Sequence, residues 1–370
     1  MSSPLASTSC SDDESSPLVE FVDSLFAPFA APGAPGASVG VFHHSRPLLV
    51  RAYGLALLEP ARAATPLTQY RLASLSKQFT ATAVLLLVAD GLLDEDTPLA
   101  EILPELSDRA GAAEPVRIRD LLTHTSGLPD YEALLPADQA VPVRDADVLA
   151  LLAKSDERYF APGTAWRYSN SAYALLALVV ERLSGRSFPA FLRERIFRPL
   201  GMERAVAFVP EGPPVAERAY GYSTSVEGFH FSDQSITSAV LGDGGVYASV
   251  SELARCEEEL VEGRLLPPAL REAMWRQARL ADGTAIPYGY GWYVDEDRGR
   301  TRLTHHGETI GFTNAVIRYP GEGVSVWVLT NRTASAPWDL AQRVADEVLA
   351  REAGVRGAGE PTRWPFHITG

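Results

Sequence analysis

The sequence predicts an α+β fold in which one antiparallel sheet is built from both ends of the chain. Near the N-terminus, the stretch GASVGVFHHSRPLLVRAYGLAL indicates two strands joined by a tight turn at Ser45–Arg46–Pro47. Near the C-terminus, four more strands are predicted in YGYGWYVDE, TRLTHHGE, FTNAVIRYP and VSVWVLTNR. Between these two groups the chain consists of helical pieces and loops with frequent Pro and Gly. This order of elements favours a single sheet that carries a mostly helical insertion.

The helices are placed by the spacing of apolar residues and by the signals at their ends. Residues 17–30 are typical of a short amphipathic helix, and residues 74–92 of a buried helix that ends at Gly91. SAYALLALVVERLSG and FPAFLRERIFRPLGM predict two helices of the insertion, and residues 338–352 predict a final helix.

The same pattern predicts a tail and two lobes. Residues 1–16 contain seven serines and no aromatic residue, which is typical of a disordered tail. Residues 17–73 together with residues 286–370 form the predicted α/β lobe, and residues 74–285 form the mostly helical lobe. The active site is expected in the cleft between the two lobes.

Composition limits the classes of partner. The chain has 370 residues, of which 46% are hydrophobic and 22% charged, as in ordinary globular proteins. Its net charge of −14 argues against nucleic acid and anionic membrane as partners. No apolar run reaches the length of a membrane span. The first basic residue is Arg46, so we expect a cytoplasmic protein, or a periplasmic or secreted one if a leader has been removed.

The cysteines and the paired histidines do not predict a metal site. Cys10 and Cys256 lack the spacing of a disulfide framework or a zinc site. The neighbours in His43–His44 and in His305–His306 point to opposite sides of a strand, so neither pair is expected to bind one metal. We expect neither a metal nor an organic cofactor.

The scarce lysines point to the first candidate site. Lys77 and Lys154 are the only lysines among 33 basic side chains, and Lys77 follows Ser74 by three residues at the start of an apolar helix. Positions i and i+3 share a helix face, so the amine can reach the hydroxyl. Unlike arginine, a buried lysine can lose its proton and activate a serine, which is a weak nucleophile by itself.

The second candidate is Tyr168-x-Asn170, which lies just before a predicted helix in WRYSNSAYALLALVVERLSG. Tyr168 could act as a phenolic acid or base, and Asn170 could hold Lys77 and the substrate. The alternative is that Asn170 only caps the helix that follows it.

The third candidate is His305-x-Gly307, on a predicted strand in LTHHGETIGF. A glycine within a strand allows another chain or a ligand to approach closely. The backbone N–H that follows it, from Glu308, could point at a substrate oxygen.

Other prominent residues are given structural roles. His124 is expected to organise its loop through hydrogen bonds, and Trp292 to belong to the core or to the cleft wall. The glycines of LGDGGVYAS indicate close backbone packing near the cleft, because no lysine follows them as in a phosphate loop. No Gly-x-Ser-x-Gly motif is present, so an α/β-hydrolase site is not supported.

Taken in chain order, these three motifs resemble those of the serine β-lactamase and penicillin-binding protein superfamily. Longer phrases are similar to its class C β-lactamase-like group, which includes esterases, D-aminopeptidases and D-alanyl-D-alanine carboxypeptidases. The phrases are RLASLSKQFTA, IRDLLTHTSGLPDY, YSNSAYALL, LGDGGVYAS, YGYGW and HHGETIGF. The resemblance implies a β-lactamase/transpeptidase-like fold, with an antiparallel sheet that is built from both termini, flanked by helices and interrupted by a mostly helical lobe.

The resemblance also implies a mechanism. Ser74 would attack a carbonyl group and form an acyl-enzyme, with the general acid/base work shared by Lys77 and Tyr168. The oxyanion would lie between the backbone N–H groups of Ser74 and Glu308, and His305 would support the Tyr168 hydroxyl from the strand. Water or another acceptor would then release the acyl group.

The strand motif departs from the best-known members, which often carry Lys-Thr-Gly where this chain has His305-His306-Gly307. The triplet carries no permanent positive charge at neutral pH. Glu308 lies two residues after His306, so the two side chains share a strand face. If that face lines the cleft, the carboxylate would repel a penicillin or a peptide that ends in a carboxylate. A neutral ester or amide would be tolerated, and an amine would be attracted.

The predicted function is therefore a serine hydrolase that cleaves an ester, amide or peptide bond of a small molecule, rather than an efficient β-lactamase. Two alternatives remain open. An acyltransferase would use the same acyl-enzyme with an acceptor other than water, and a binding protein would keep the fold without catalysis. Intact Ser74, Lys77 and Tyr168 argue against the binding protein, since a decayed site need not keep all three.

Overall fold

The computed structural model describes residues 16–107 and 115–354 of the chain. The strands are β1 (Ala37–His43), β2 (Arg46–Tyr53), β3 (Leu55–Leu57), β4 (Arg62–Ala63), β5 (Tyr70–Arg71), β6 (Val206–Ala207), β7 (Tyr222–Ser225), β8 (Gly228–Phe231), β9 (Val246–Ala248), β10 (Tyr293–Asp297), β11 (Arg300–Thr309), β12 (Phe312–Tyr319) and β13 (Val324–Thr330). The main sheet has six antiparallel strands in the order β10–β11–β12–β13–β1–β2. A smaller sheet has the order β5–β9–β6, and β3–β4 and β7–β8 form separate pairs.

Helices fill most of the chain between β5 and β10 and also lie near both ends of the described chain. The α-helices are α1 (Pro17–Phe26), α2 (Lys77–Ala89), α3 (Leu99–Ile102), α4 (Ile118–Leu122), α5 (Asp145–Lys154), α6 (Asn170–Ser184), α7 (Phe188–Leu192), α8 (Arg198–Leu200), α9 (Leu241–Gly244), α10 (Val250–Glu262), α11 (Pro268–Met274) and α12 (Pro337–Glu352). Short 3₁₀ turns lie at Ala73–Ser76, Pro104–Leu106 and Tyr131–Leu134, and a π-helical turn lies at Arg193–Phe197.

Both ends of the chain build the main sheet, which confirms the predicted α+β architecture. β1 pairs along its whole length with β13, and it pairs with β2 on its other side. The turn between β1 and β2 is His44–Ser45, and both residues have positive φ. A two-residue hairpin turn of this kind needs positive φ at its central positions. The predicted turn residues Arg46 and Pro47 therefore belong to β2 instead.

Helices cover both faces of the main sheet. α1 and α12 pack on one face and form a core with alternate residues of β1, β12 and β13. The other face packs against α10 and the inserted helices in a larger core, which also buries Trp292. α2 lies inside this larger core and packs against α6, which explains why apolar residues surround it instead of forming one stripe.

The predicted helix over residues 74–92 is divided into two elements. The 3₁₀ turn Ala73–Ser76 comes first, and α2 then runs to Ala89, shortly before Gly91. The predicted tail lies almost wholly outside the described residues, and the boundaries of the two lobes stay a prediction. Among the helices that the structure describes, none is both long and apolar enough to cross a membrane.

Glu257 of α10 ties this helix to β12 and β13. Its buried carboxylate accepts hydrogen bonds from Ser325 Oγ and Trp327 Nε1, both at 2.7 Å, and pairs with the buried guanidinium of Arg318. Glu257→Ala would leave the Arg318 charge buried without its carboxylate. We expect the free energy of unfolding, measured by urea denaturation, to fall by about 3–5 kcal/mol.

Glu258→Ala is the matched control, because Glu258 lies on the same helix and pairs with Arg255 and Arg264 in partly exposed ion pairs. Such pairs contribute about 1 kcal/mol or less. Equal losses of stability in the two variants would contradict the role assigned to Glu257.

Candidate active site

Ser74 lies in a strained turn between β5 and α2. Ala73 has a φ of +50°, in the left-handed region that residues with a side chain rarely adopt. Asn314 Nδ2 of β12 donates a hydrogen bond to the carbonyl oxygen of Arg71 at 2.9 Å, just before the turn. Contacts of this kind hold the strained backbone in place, and backbone strain that is held in this way is typical of functional sites.

Three oxygen atoms surround the amine of Lys77. Its Nζ lies 3.0 Å from Ser74 Oγ, 2.9 Å from Asn170 Oδ1 and 2.9 Å from the backbone oxygen of Asp243. The Asn170 amide is oriented by its Nδ2, which donates to Glu132 Oε1 at 3.2 Å. Two of the three neighbours of Nζ are carbonyl oxygens, which can only accept hydrogen bonds. The third position of the amine therefore faces the Ser74 hydroxyl.

The electrostatic surroundings favour a neutral Lys77. The side chain is fully buried, and burial lowers the pKa of Lys77 below the usual lysine value. The carboxylates of Asp243, Asp130 and Glu132 oppose this shift because they favour the charged form. Burial also raises the pKa of the Asp243 carboxyl, which accepts a hydrogen bond from the Tyr131 hydroxyl at 3.3 Å. The neutral amine is thus accessible at a pH where a free lysine is fully charged.

Tyr168 lies beside Lys77 and Ser74. Its hydroxyl oxygen is buried and makes no hydrogen bond with the described residues. Burial raises the pKa of Tyr168 well above its usual value, and the Ser74 hydroxyl, which lies nearby without hydrogen-bond geometry, partly opposes this shift. Lys77 Nζ is 4.9 Å from the centroid of the Tyr168 ring. The phenol therefore keeps its proton at neutral pH.

Ser169, rather than Asn170, caps α6. Ser169 Oγ accepts a hydrogen bond from the Ala172 N–H at 3.2 Å, as expected of an N-cap residue. Asn170 is the first residue of the helix, and its own N–H donates to Asp130 Oδ2 at 2.7 Å. The alternative that Asn170 only caps the helix is therefore wrong. Its side chain binds Lys77, and its contact with a substrate stays a prediction.

β11 passes close to the Ser74 turn because residue 307 is glycine. A Cβ atom at Gly307 would lie 2.2 Å from the carbonyl oxygen of Leu72. The pairing of β10 with β11 ends at Thr304, so the rest of β11 has no strand partner on that side within the described part of the chain. The backbone of Glu308 thus lies at an open strand edge near Ser74.

His305 is buried and binds Tyr288 rather than Tyr168. Its Nδ1 lies 2.7 Å from the backbone oxygen of His306, and its Nε2 lies 3.0 Å from the Tyr288 hydroxyl. Burial lowers the pKa of His305, so the neutral ring donates through Nδ1 and accepts from Tyr288. The expected support of the Tyr168 hydroxyl by His305 is not found, because both ring nitrogens have other partners. The rings of His305 and Tyr168 lie next to each other, with centroids 6.1 Å apart, but no hydrogen bond joins them.

His306 and Glu308 share the other face of β11, as predicted. Both line a cavity of about 280 Å³, together with Asn314 and Trp338. Burial lowers the pKa of His306 to about 4, so its ring is neutral. No lysine or arginine is among the described residues that line this cavity. The exposed carboxylate of Glu308 is therefore the only formal charge among the described residues that line this cavity.

Comparison with known proteins identifies the family. The family model described as Beta-lactamase matches residues 22–350. The chain belongs to the beta-lactamase family. The match includes every candidate residue of the site, from Ser74 to Glu308.

Several relatives within the beta-lactamase family are at least 30% identical to the chain. Penicillin-binding protein 4* of Bacillus subtilis is 30% identical over 325 residues, which cover 84% of this chain and 69% of that protein. A D-aminopeptidase of Gluconobacter oxydans is 30% identical over 363 residues, which cover 95% of this chain and 66% of that protein. A D-aminopeptidase of Brucella ovis is 34% identical over 276 residues, with coverages of 74% and 51%. The chain thus spans between half and two thirds of these D-aminopeptidases.

Solved structures share the fold. The octameric penicillin-binding protein homologue from Pyrococcus abyssi has a TM-score of 0.77 at 26% identity, with 91% of this chain and 77% of that chain covered. D-amino acid amidase from Ochrobactrum anthropi has a TM-score of 0.76 at 23% identity, with coverages of 91% and 100%, and this likeness shows the fold alone. The predicted family and the β-lactamase/transpeptidase-like fold are confirmed, as is the class of β-lactamase-related, penicillin-binding-protein-like serine hydrolases.

Four residues of this beta-lactamase-family site are not predicted from the sequence: Asp130, Glu132, Asp243 and Tyr288. The first three lie in or beside phrases that resemble the family, THTSGLPDY and LGDGGVYAS. The sequence therefore points to these segments as part of the site, although it predicts no role for the individual residues. Tyr288 is the first residue of another phrase that resembles the family, YGYGW. Its contact with His305 depends on how β11 meets the loop before β10.

Gly307→Ala tests the close approach of β11 to the Ser74 turn. The added methyl group would overlap the carbonyl oxygen of Leu72, so the strand has to move away. We expect a loss of stability of about 1–3 kcal/mol and a loss of most of the reactivity of Ser74 toward a fluorophosphonate probe.

Gly321→Ala is the control, because nothing lies within 4 Å of its Cβ position and its φ is not positive. It should label at the wild-type rate. Wild-type labelling of Gly307→Ala would show that the reactivity of Ser74 does not depend on β11.

Proposed function

We propose that the protein is a serine hydrolase that cleaves an amide or ester bond through an acyl-enzyme on Ser74. The observation that carries this proposal is the position of Lys77 Nζ, 3.0 Å from Ser74 Oγ. Two carbonyl oxygens take two amine hydrogens, so the lone pair of the neutral amine faces the serine hydroxyl. A serine beside such a base is an activated nucleophile.

In the first step, Lys77 accepts the Ser74 proton while Oγ forms a bond to the substrate carbonyl carbon. The carbonyl π electrons move to the oxygen, which the backbone N–H groups of Ser74 and Glu308 stabilise. The close approach of β11 at Gly307 supports this pairing of N–H groups. When the intermediate collapses, the bond to the leaving group breaks. Tyr168 donates its proton to the leaving group, and Lys77 returns the serine proton to Tyr168.

In the second step, water attacks the ester carbonyl of the acyl-enzyme. The Lys77–Tyr168 pair takes a proton from the water as its oxygen bonds to the acyl carbon. The bond from this carbon to Ser74 Oγ then breaks, and the proton returns to Oγ. One water molecule is consumed, and the free acid and the original serine are formed.

Opposite pKa shifts support this division of roles between Lys77 and Tyr168. Burial disfavours whichever form carries a charge, so it lowers the pKa of the lysine and raises the pKa of the tyrosine. At neutral pH the lysine can reach its neutral, basic form, while the tyrosine stays protonated as the acid.

Carboxylates near Lys77 favour a substrate with a free amine. Exposed Glu132 contacts Asn170, which in turn binds Lys77, and the Glu132 carboxylate favours the charged form of Lys77. We propose that Glu308, which is exposed on the other face of β11, adds a second negative charge at the edge of the cleft. Such a site attracts an ammonium group and repels a carboxylate. The name D-aminopeptidase among the relatives agrees with this charge preference. We therefore propose an amide or ester of a D-amino acid with a free amino group as the substrate class.

Covalent labelling of the intact protein tests the proposal. A fluorophosphonate probe should add once, on Ser74, as seen by intact mass and peptide mapping. Lys77→Met should slow this reaction by about 10²-fold or more, because a general base contributes about 10²–10⁴ to a rate. Below the lowered Lys77 pKa, the labelling rate should rise about tenfold per pH unit and level off before the ordinary lysine pKa of about 10.4.

Lys154→Met is the matched control, because Lys154 is the only other lysine of the sequence and is exposed at the end of α5. This variant should label at the wild-type rate. Absence of an adduct on the folded wild type, or wild-type labelling of Lys77→Met, would contradict the proposed nucleophile and its base.

Glu308→Gln tests the charge preference. Wild-type protein should hydrolyse a short-chain nitrophenyl ester with a higher kcat/KM than a chromogenic cephalosporin, which carries a carboxylate. Removing the Glu308 charge should raise kcat/KM for the cephalosporin by about fivefold, which corresponds to about 1 kcal/mol for an exposed charge pair, and should leave the ester unchanged.

Glu227→Gln makes the same change of net charge on the hairpin between β7 and β8, outside the residues of the site. An equal gain in this variant would assign the effect to overall charge. Faster cephalosporin turnover than ester turnover by the wild type would contradict the proposed preference itself.

A further inference from the structure

His124 binds the backbone on both sides of Tyr168. Its carbonyl oxygen accepts the Arg167 N–H at 3.1 Å, and its Nδ1 accepts the Ser169 N–H, also at 3.1 Å. The expectation that His124 is a hydrogen-bonded organiser of its loop is confirmed. The segment that it binds is the one that carries the candidate acid of the site.

The His124 ring also packs against the Tyr168 ring. The two centroids are 4.4 Å apart, and the planes are inclined by 37°. The same ring contacts Tyr173 at 5.1 Å and Tyr288 at 4.5 Å. The ring of Tyr168 is therefore held by a neighbour whose own position is set by hydrogen bonds and by further aromatic contacts.

Two features of His124 are unfavourable by themselves. Its φ is +60°, in the left-handed region that few residues other than glycine adopt. Because Nδ1 accepts a hydrogen bond, the proton of the neutral ring lies on Nε2, which is buried and has no partner among the described residues. A buried donor without a partner and a strained backbone both reduce the stability of the fold. Other interactions of His124 therefore have to hold it in this position.

The residues that follow His124 bind the chain that leads to the tyrosine. The Thr125 carbonyl oxygen accepts the Gly163 N–H at 2.9 Å, and the Gly127 carbonyl oxygen accepts the Tyr159 N–H at 2.8 Å. Gly127 allows this contact, because a Cβ atom there would lie 1.9 Å from the backbone oxygen of Phe160. The two segments therefore lie side by side over several residues, and His124 is the contact at the end nearest the site.

From this geometry we propose that His124 is a positioning residue, which orients the Tyr168 hydroxyl for proton transfer to the leaving group. The inference rests on the proposed function. The Tyr168 hydroxyl makes no hydrogen bond with the described residues, so its direction is set by how its ring is packed and how its backbone is held. His124 supplies both restraints, through its contact with the ring and its bond to the Ser169 N–H.

Matched substitutions separate the hydrogen bond from the bulk of the ring. In His124→Asn, the side-chain oxygen takes the place of Nδ1 on the same carbon, Cγ, and asparagine tolerates positive φ. His124→Leu has the same branching at Cγ but no acceptor. Tyr168→Phe provides the reference for complete loss of the phenol proton.

The readout is the ratio of the kcat/KM values for two substrates with the same acyl group, a p-nitroanilide and a p-nitrophenyl ester. For an acyl-enzyme mechanism kcat/KM reports acylation and is independent of the deacylation step that the two substrates share. The anilide leaving group needs a proton, whereas nitrophenolate leaves without one. Loss of a general acid therefore lowers the anilide-to-ester ratio. We expect Tyr168→Phe and His124→Leu to lower it by about tenfold or more, and His124→Asn to stay within about threefold of the wild type.

A merely structural role would leave the ratio unchanged, because partial unfolding lowers both rates equally. Equal losses for the two substrates in folded His124→Leu, or no loss, overturn the inference. If His124→Leu does not fold, His124→Gln replaces it, because its acceptor is one bond further from Cγ, and the same fall in the ratio is required.

The outcomes for the inference and for the proposed function are distinguishable. A wild-type protein that hydrolyses neither substrate and takes no adduct on Ser74 overturns the proposed function, and this inference with it. Normal turnover by the wild type, a lowered ratio in Tyr168→Phe and an unchanged ratio in His124→Leu overturn the inference alone.

Discussion

The buried amine of Lys77 is the interaction on which the rest of the site depends. Removing an amine from water is unfavourable unless its hydrogens find new acceptors. Its oxygen neighbours come from three separate parts of the chain: the Ser74 turn, the first residue of α6 and the backbone of Asp243 in α9. These parts have to meet around one nitrogen atom, and the helical insertion is thereby held against the turn through which the chain enters it.

Close approach of backbones makes this meeting possible. A Cβ atom at Gly242 would lie 2.2 Å from the carbonyl oxygen of Tyr173, so α9 contacts α6 with no side chain between them. The same distance separates the Cβ position of Gly307 from the oxygen of Leu72, where β11 contacts the Ser74 turn. Glycine is required at both places because any larger residue would separate elements that the site needs together.

The sequence by itself determined the elements and the reactive pair. Strand-like stretches at both ends predict the six strands of the main sheet, and the all-round apolar pattern after Lys77 predicts a buried helix. The spacing of Ser74 and Lys77 predicts their contact, and the structure shows it at 3.0 Å. These features depend on residues that are close in the chain, where strand and helix geometry determine which side chains share a face.

Only the tertiary structure decided which partner each site residue binds. Asn170 could have capped α6, but Ser169 does so, and the amide binds Lys77 instead. His305 could have reached Tyr168, but its ring nitrogens bind Tyr288 and its own strand. Such choices are made between partners that are far apart in sequence. The sequence does not distinguish between these partners. The packing of the whole chain decides, because it brings only one of them within hydrogen-bond distance.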